Sequence, residues 1–366
     1  MRKKLLLITI PLIVAVSMYF LYPLLKPIDI QKYLIYKNQS SESNALENFI
    51  VNNLTNEDGG ILTNYLDASS EDEITKGHAV LSESQGLMMV YSSYIKNEEM
   101  FNTYYKYVKD NMYLSNGLIS WRVSKDKEKS DTTAFIDDIR IAKALALGYK
   151  TFDKYSYRLK AHSLSKSLLE NSISNDLPID FIDKWGASSI FTLCYGDLEG
   201  MNILSSFHPE WKTIKDKSKE VMLGGLIGNT PFFKKSYDVS KGEYSKEENT
   251  ELLYSLMVWE SLLSDGEDIY PIINFMEKEM NTNGYLVTEY SKDLTPLTNI
   301  ESASIYAVAL RLSDSFNNEE LSQKLENKLL SFMVKDGEFK GGLGYEKNKE
   351  FYSFDNIEGL LSLLNN

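Results

Sequence analysis

The sequence is poor in the residues that carry redox and metal chemistry. Of 366 residues one is cysteine, Cys194, and three are histidine, His78, His162 and His208. A single cysteine makes no intrachain disulfide and no zinc cluster. The histidines show no HExxH-like spacing, so neither metal nor cofactor is expected. Cys194 lies in the apolar run Ile-Phe-Thr-Leu-Cys-Tyr, which reads as a buried, inert thiol rather than a nucleophile. Strand signals are scarce; the best are Gly117–Val123 and Gly284–Thr288. No Pro-, Gly- or Ser-rich linker divides the chain after residue 44, and no fixed period favours a stack of helical repeats. Basic residues are also in deficit. With the first 26 residues set apart, 35 Lys and Arg face 52 Asp and Glu, a balance of −17. That excludes nucleic acid as a partner, and it argues against docking on anionic lipid through the domain surface. A neutral or cationic polymer is compatible.

What is present suits a large globular body. Hydrophobic residues make up 43%, enough for a sizeable core. Aromatics reach 12%, with 24 tyrosines. Two readings fit: a Tyr-rich core and surface, or a groove lined with rings, since sugars pack their C–H faces on rings and hydrogen-bond phenols. At the N-terminus, Arg2, Lys3 and Lys4 precede an uncharged apolar run, Leu5–Leu25. Twenty-one residues in a helix span roughly 31 Å, about one hydrocarbon core. The basic flank at residues 1–4 puts the N-terminus in the cytoplasm and the remainder outside. A cleaved signal peptide is the competing reading. Ala15-Val16-Ser17 is a weak cleavage site and there is no lipobox cysteine, so an uncleaved single-pass anchor is expected. Residues 26–43 read as a linker, with Pro23 and Pro27 ending the span.

Residues 44–366 read as one domain of amphipathic helices. Apolar positions recur at helical spacing in 44–54, 81–94, 98–113, 136–150, 155–172, 186–204, 209–223, 246–264, 268–280, 300–313, 317–334 and 354–365. Loops rich in Gly, Asp and Asn separate them. About a dozen helices arranged as hairpins, with decorated loops on one side, predict an all-α fold, an (α/α)6 toroid.

The sharpest local pattern is Ser82-Glu83-Ser84-Gln85-Gly86 ahead of a Met-bearing apolar helix. On local physics it is a helix start: Ser82 as N-cap, Gln85 closing a capping box, Glu83 suited to the helix dipole. The same residues resemble the signature of glycoside hydrolase family 8, S-E-G-Q-G/A-Y-G-M, with Ser84, Leu87 and Met88 as departures. The resemblance implies that Glu83 is the general acid, a role that needs a raised pKa. A second stretch, Ala134–Ala142, resembles the family's A-S/T-D-A/G-D-x-x-I/M-A. Its second Asp falls on Asp138; its first falls on Ile136, with Asp137 one residue away. Both are candidate catalytic carboxylates, and both also fit an acidic first turn or an ion pair with Arg140. The family's Asp general base falls on Asn249, which leaves Asp137, Asp138, Asp238 and Glu248 as candidates. An inverting mechanism sets acid and base roughly 6.5–9.5 Å apart, leaving room for water.

Candidate substrate contacts are Gln85 of the signature, Trp121 as a sugar platform and Arg122 as a hydroxyl donor. Trp185, Tyr195 and Asp197 lie in a stretch that loosely resembles the family's P-S-Y-F-x-P segment. The expectation is an inverting endo-hydrolase of a β-linked exopolysaccharide or wall polysaccharide, acting outside the cytoplasm, with an exopolysaccharide synthesis and export complex as a partner. Ile136 and Asn249 at carboxylate positions favour the alternative of a non-catalytic polysaccharide-binding or assembly subunit. A lyase is a third reading, disfavoured because uronate clamps are rich in Arg, Lys and His.

Overall fold

The computed structural model describes residues 26–28, 30–67, 77–247 and 249–365. The run Leu5–Leu25 lies outside them, and no helix among the described residues is long and apolar enough to cross a membrane. Twelve α-helices are present among these residues: α1 (Ser41–Phe49), α2 (Ser82–Tyr94), α3 (Glu98–Asn111), α4 (Phe135–Phe152), α5 (Tyr155–Asn171), α6 (Leu198–Leu204), α7 (Glu210–Gly224), α8 (Leu252–Ser264), α9 (Tyr270–Thr282), α10 (Ala303–Ser315), α11 (Glu319–Ser331) and α12 (Ser353–Ser362).

Even- and odd-numbered helices differ in burial. Along α3, Phe101, Tyr104, Tyr105 and Val108 face inward at three- and four-residue spacing, as a surface helix requires. Its start is fixed by Asn97, whose side chain accepts from the Met100 N–H, with Glu98 and Glu99 in the first turn. By contrast α4 is buried almost all round, from Phe135 to Gly148. Gly148 is required where α4 meets α3, since a Cβ there would lie 2.7 Å from the Phe101 ring. Helix α4 stops at Asp153, left-handed at φ 53°.

The even helices pack in sequence, α2 on α4, α4 on α6, and so on to α12, which returns to α2. That is a closed inner ring of six. The odd helices form the outer layer, and α1 packs on α12. The seam is a short antiparallel pairing of Asn38–Gln39 with Leu364–Asn365. Connections follow the same alternation. From inner to outer helix they are tight turns at 95–97, 153–154, 205–209, 265–269 and 316–318. From outer to inner they are the long segments 112–134, 172–197, 225–251, 283–302 and 332–352, with 50–81 alike. All long segments therefore gather at the N-terminal ends of the inner helices.

Three expectations are revised. The helix expected over 186–204 is only α6. Its first part instead forms the strand Ile190–Thr192, which pairs with Ser236–Asp238, because Ile-Phe-Thr prefers a pleated surface. Gly284–Thr288 is irregular, the strand falling on Glu289–Tyr290. The expected linker is also partly structured. Ile28 and Ile30 are buried, and the serines at 40 and 43 form a reciprocal capping box that starts α1.

Candidate active site

Glu83 is the second residue of inner helix α2 and stands half-buried at the face where the long segments converge. The expected capping box at this helix is absent. The N-cap is Leu81, with no side-chain bond to the helix. The Ser82 hydroxyl instead donates to Asp137 Oδ2 at 2.7 Å. Gln85 is fully buried: its Oε1 accepts from the Ile61 N–H at 3.0 Å and its Nε2 donates to Gly59 O at 3.0 Å and Tyr104 O at 3.3 Å. All its capacity is turned to backbone, so Gln85 fastens the 56–61 turn to α2 and α3 and is withdrawn from substrate.

Gly86 explains how two carboxylates come together. A Cβ there would sit 3.1 Å from Ile141 and 3.3 Å from the Arg140 stem. Glycine lets α2 close on α4, which brings Glu83 beside Asp137. Asp137 is nearly buried and accepts from Ser82, from Arg140 Nη1 at 3.2 Å and from the Glu83 N–H. Burial raises its pKa, while Arg140 and these hydrogen bonds oppose the rise. At Glu83 only the Arg140 charge opposes the rise. Burial first, then the Asp137 charge, push its carboxyl up from 4.5 to about 8. With its donors, Asp137 keeps the charge of the pair and Glu83 keeps the proton at neutral pH.

Asp138 is not brought to this cluster. It is fully buried, Oδ1 accepts from the Ile119 N–H at 2.9 Å and Oδ2 has no partner. Burial raises its pKa well above the usual range, opposed by the Ile119 N–H, and it stands behind the wall. One residue along a helix is a 100° turn, and that separates it from Asp137. Asp238 is taken up by its own turn, accepting from Ser240 and Lys241, which hold it well below the ordinary carboxylate range. Glu248 lies outside the described residues.

Other candidates divide likewise. Arg122 pairs with Leu81 in a short strand beside Glu83, and its Nε has no partner. Trp121 is half-buried; its carbonyl accepts from the Ser82 N–H at 3.0 Å and its Nε1 donates to Ser130 at 3.1 Å. Tyr195 is half-buried near Asp137, Asp180 and Glu83, and burial with these charges drives its phenol above its usual range. Trp185 tips the hairpin of Ile182–Asp183 and Gly186–Ala187 and is 81% exposed. That hairpin is fixed to the start of α4 through Thr133, which exchanges bonds with Ile182 at 2.9 and 3.0 Å. Cys194 is buried, which pushes its thiol to about 12. Asp197 departs from expectation. It caps α6 through the Gly200 N–H at 2.7 Å and pairs with Lys143 at 2.8 Å. Burial alone would raise its carboxyl; Lys143 and the Gly200 N–H hold it low. It faces an axial cavity, not the cleft rim.

That cavity, about 460 Å³, runs down the ring behind the acid pair, and Arg140 lines it. Its wall is stitched by Lys143 to Asp197 and Glu199, and by Arg311 to Glu260 and Glu358 at 2.5 and 2.7 Å. The sequence analysis missed Lys143 and Arg311. The signal was there in α4: Asp137, Arg140 and Lys143 recur every three residues in an otherwise apolar helix, a polar stripe facing the axis.

A closed ring of inner helices with a carboxylate pair on its loop-bearing face fits a glycosidase. Residues 32–234 match the family model described as glycosyl hydrolases family 8, and the chain belongs to that family. An α-amylase from Clostridium perfringens is 37% identical, with 88% of this chain and 97% of that chain covered at a TM-score of 0.83. The candidate lipoprotein YdaJ of Bacillus subtilis (strain 168) is 27% identical over 334 residues, 89% of each. A family 8 endoglucanase of Klebsiella pneumoniae shares the fold at 15% identity and a TM-score of 0.64, with 87% of this chain and 97% of that chain covered.

Proposed function

We propose that this glycosidase is an endo-acting, inverting hydrolase of a polysaccharide outside the cytoplasm, with Glu83 as general acid. The carrying observation is the Glu83–Asp137 pair, in which burial and the neighbouring charge keep Glu83 protonated near neutrality. A protonated carboxyl at an open inner-helix end can deliver its proton to a glycosidic oxygen. Asp137 stays as the anion beside it, and Tyr195, Arg122 and Trp185 supply hydroxyl contacts and a platform for sugar rings. An inverting reaction needs a second carboxylate facing a water. Asp137, buried and accepting from Ser82, Arg140 and the Glu83 N–H, is set directly beside the acid and tunes it, so the water-facing base is supplied by another segment of this face.

Two polymers follow from different observations. The signature around Glu83 implies a β-linked exopolysaccharide or wall polymer. The 37% identical relative is an α-amylase, which makes an α-glucan the second substrate class. Location rests on the basic flank and the run Leu5–Leu25, supported by the candidate lipoprotein among the relatives; this chain has no lipobox cysteine, so the apolar run itself would be the anchor.

The test is reducing-end release by detergent-solubilised full chain against β-glucans, xylan, chitosan, amylose, starch and crude exopolysaccharide, beside Glu83→Gln. Release abolished in Glu83→Gln, with the first product of inverted anomeric form by NMR, supports the reading. Binding of a polymer by both forms with no release by either refutes it and leaves the binding subunit.

A further inference from the structure

The face opposite the cleft carries its own chemistry. It is built from the short turns and the C-terminal ends of the inner helices, and the axial cavity reaches it between Ile35, Lys37, Tyr94 and Asp314. Segment 26–39 straps it. Arg158 of α5 holds the Lys26 carbonyl, Asn202 at the end of α6 holds the Tyr33 hydroxyl, and the Lys37 N–H donates to Tyr94 O, the last residue of α2, at 3.1 Å. The chain preceding Lys26 therefore leaves from this face, and in the sequence it is the apolar run Leu5–Leu25.

Around that exit, large side chains stand in the open: Ile35, Tyr36, Tyr155, Leu159, Tyr270 and Phe316, between 38% and 55% exposed. Cations are interleaved with the rings. Lys96 lies 3.6 Å over Tyr36, and Lys150 and Arg158 lie 5.4 Å from Tyr149. Tyrosines flanked by lysines, with scattered aliphatics, are the residues that settle at the headgroup level of a bilayer, ring bodies inward and ammonium groups in water. The overall balance of −17 opposes attraction of a free domain to anionic lipid, but it is an average over the whole surface. Lys26 and Lys32 lie in the strap itself and Lys96 stacks on its Tyr36, while Lys154 is neutralised by Glu98 at 3.1 Å; a covalent tether replaces long-range attraction with high local concentration.

We infer that this face rests on a lipid bilayer and that the catalytic cleft is directed away from it. The inference rests on the membrane placement under Proposed function. Along α2 the eleven residue steps from Tyr94 to Glu83 rise about 17 Å, so the acid is held clear of the headgroups and meets polymer arriving from the medium.

The experiment uses the full chain in vesicles of phosphatidylethanolamine and phosphatidylglycerol, spin-labelled in turn at Ile35→Cys, Phe316→Cys and Trp185→Cys. Cys194 is buried and leaves the label site-specific. Power-saturation EPR compares collisions with oxygen, which partitions into lipid, and with an aqueous nickel chelate. A several-fold excess of oxygen collisions at positions 35 and 316, with nickel dominant at 185, is the expected result. Vesicle-bound chain with nickel dominant at all three positions overturns the docking while leaving the anchor intact. Shielding of 35 and 316 from both reagents also overturns it, in favour of a second copy on this face. Chain recovered in the vesicle supernatant overturns the membrane placement itself. None of these readouts depends on catalysis, so a failure of the hydrolase reading is seen separately in the reducing-end assay.

Discussion

Replacing Glu83 by glutamine should abolish activity and stabilise the protein. The native carboxyl is raised from 4.5 to about 8. In the unfolded chain it ionises near 4.5; in the native state it holds its proton until about 8. Between those values the native state binds more protons, so this group's contribution to stability is fully present below pH 4.5 and is lost as pH rises towards 8. Each pH unit costs the native state about 1.4 kcal/mol, which reaches about 3 kcal/mol at pH 7. Glu83 is only half-buried, and solvent screening brings the figure to about 1–2 kcal/mol. Glutamine has the same shape and no charge to lose. Glu83→Gln should therefore unfold at higher denaturant than wild type at pH 7, and the two should coincide at pH 4. The same change should lower kcat by about 100- to 10,000-fold, the range for losing a general acid. Denaturant melts at both pH values and initial rates on one polymer complete the assay. Equal destabilisation at both pH values, or retained turnover, would refute the assignment of a buried, protonated acid.

Asp137→Asn removes the charge that helps hold the Glu83 proton, so the alkaline limb of the pH–rate profile should move to lower pH; an unmoved limb argues against coupling of the pair. Gln85→Ala strips three hydrogen bonds from buried backbone groups and should cost about 2–3 kcal/mol in denaturant melts, with KM unchanged for whatever folds. Trp185→Ala should do the reverse, raising KM for long polymers with the melting curve unaltered, because an 81% exposed ring contributes little to the core. Asp197→Ala leaves Lys143 buried with only Glu199 at 3.7 Å and should destabilise by about 3–5 kcal/mol, measured in the same melts.

Much of the ring was legible because its helices are long and periodic. Outer helices such as α3 and α11 show an apolar stripe, and inner helices such as α4 are buried almost all round. The start of α6 was not legible. Its preceding residues are apolar enough for a helix; their β-branched and aromatic side chains also suit a strand, and the distant partner Ser236–Asp238 decides it. Glu83 was legible from its neighbours in sequence, but the role of those neighbours was not. Ser82 and Gln85 satisfy a capping box on paper, and tertiary partners claim both: Asp137 for one, the backbone of the 56–61 turn for the other. The choice between Asp137 and Asp138 depends on the rotation of α4 about its axis. That rotation is set by the closeness of Gly86 to Ile141 and Arg140, a contact across two helices. Asp197 reads as a groove residue because its stretch loosely resembles the family's P-S-Y-F-x-P segment, yet it faces the axial cavity.

The seam between residues 38–39 and 364–365 has a consequence for how the molecule is made. The first outer helix has its partner in the last inner one, so the earliest segment to leave the ribosome waits for the latest. Contacts of that sequence separation form slowly. Helices α2 to α11 can associate with neighbours as they emerge, but the circle closes only when α12 (Ser353–Ser362) arrives. A chain truncated ahead of α12 would keep most of its helices and still be left as an open arc, with the apolar flanks of α1 and α2 uncovered and prone to aggregate.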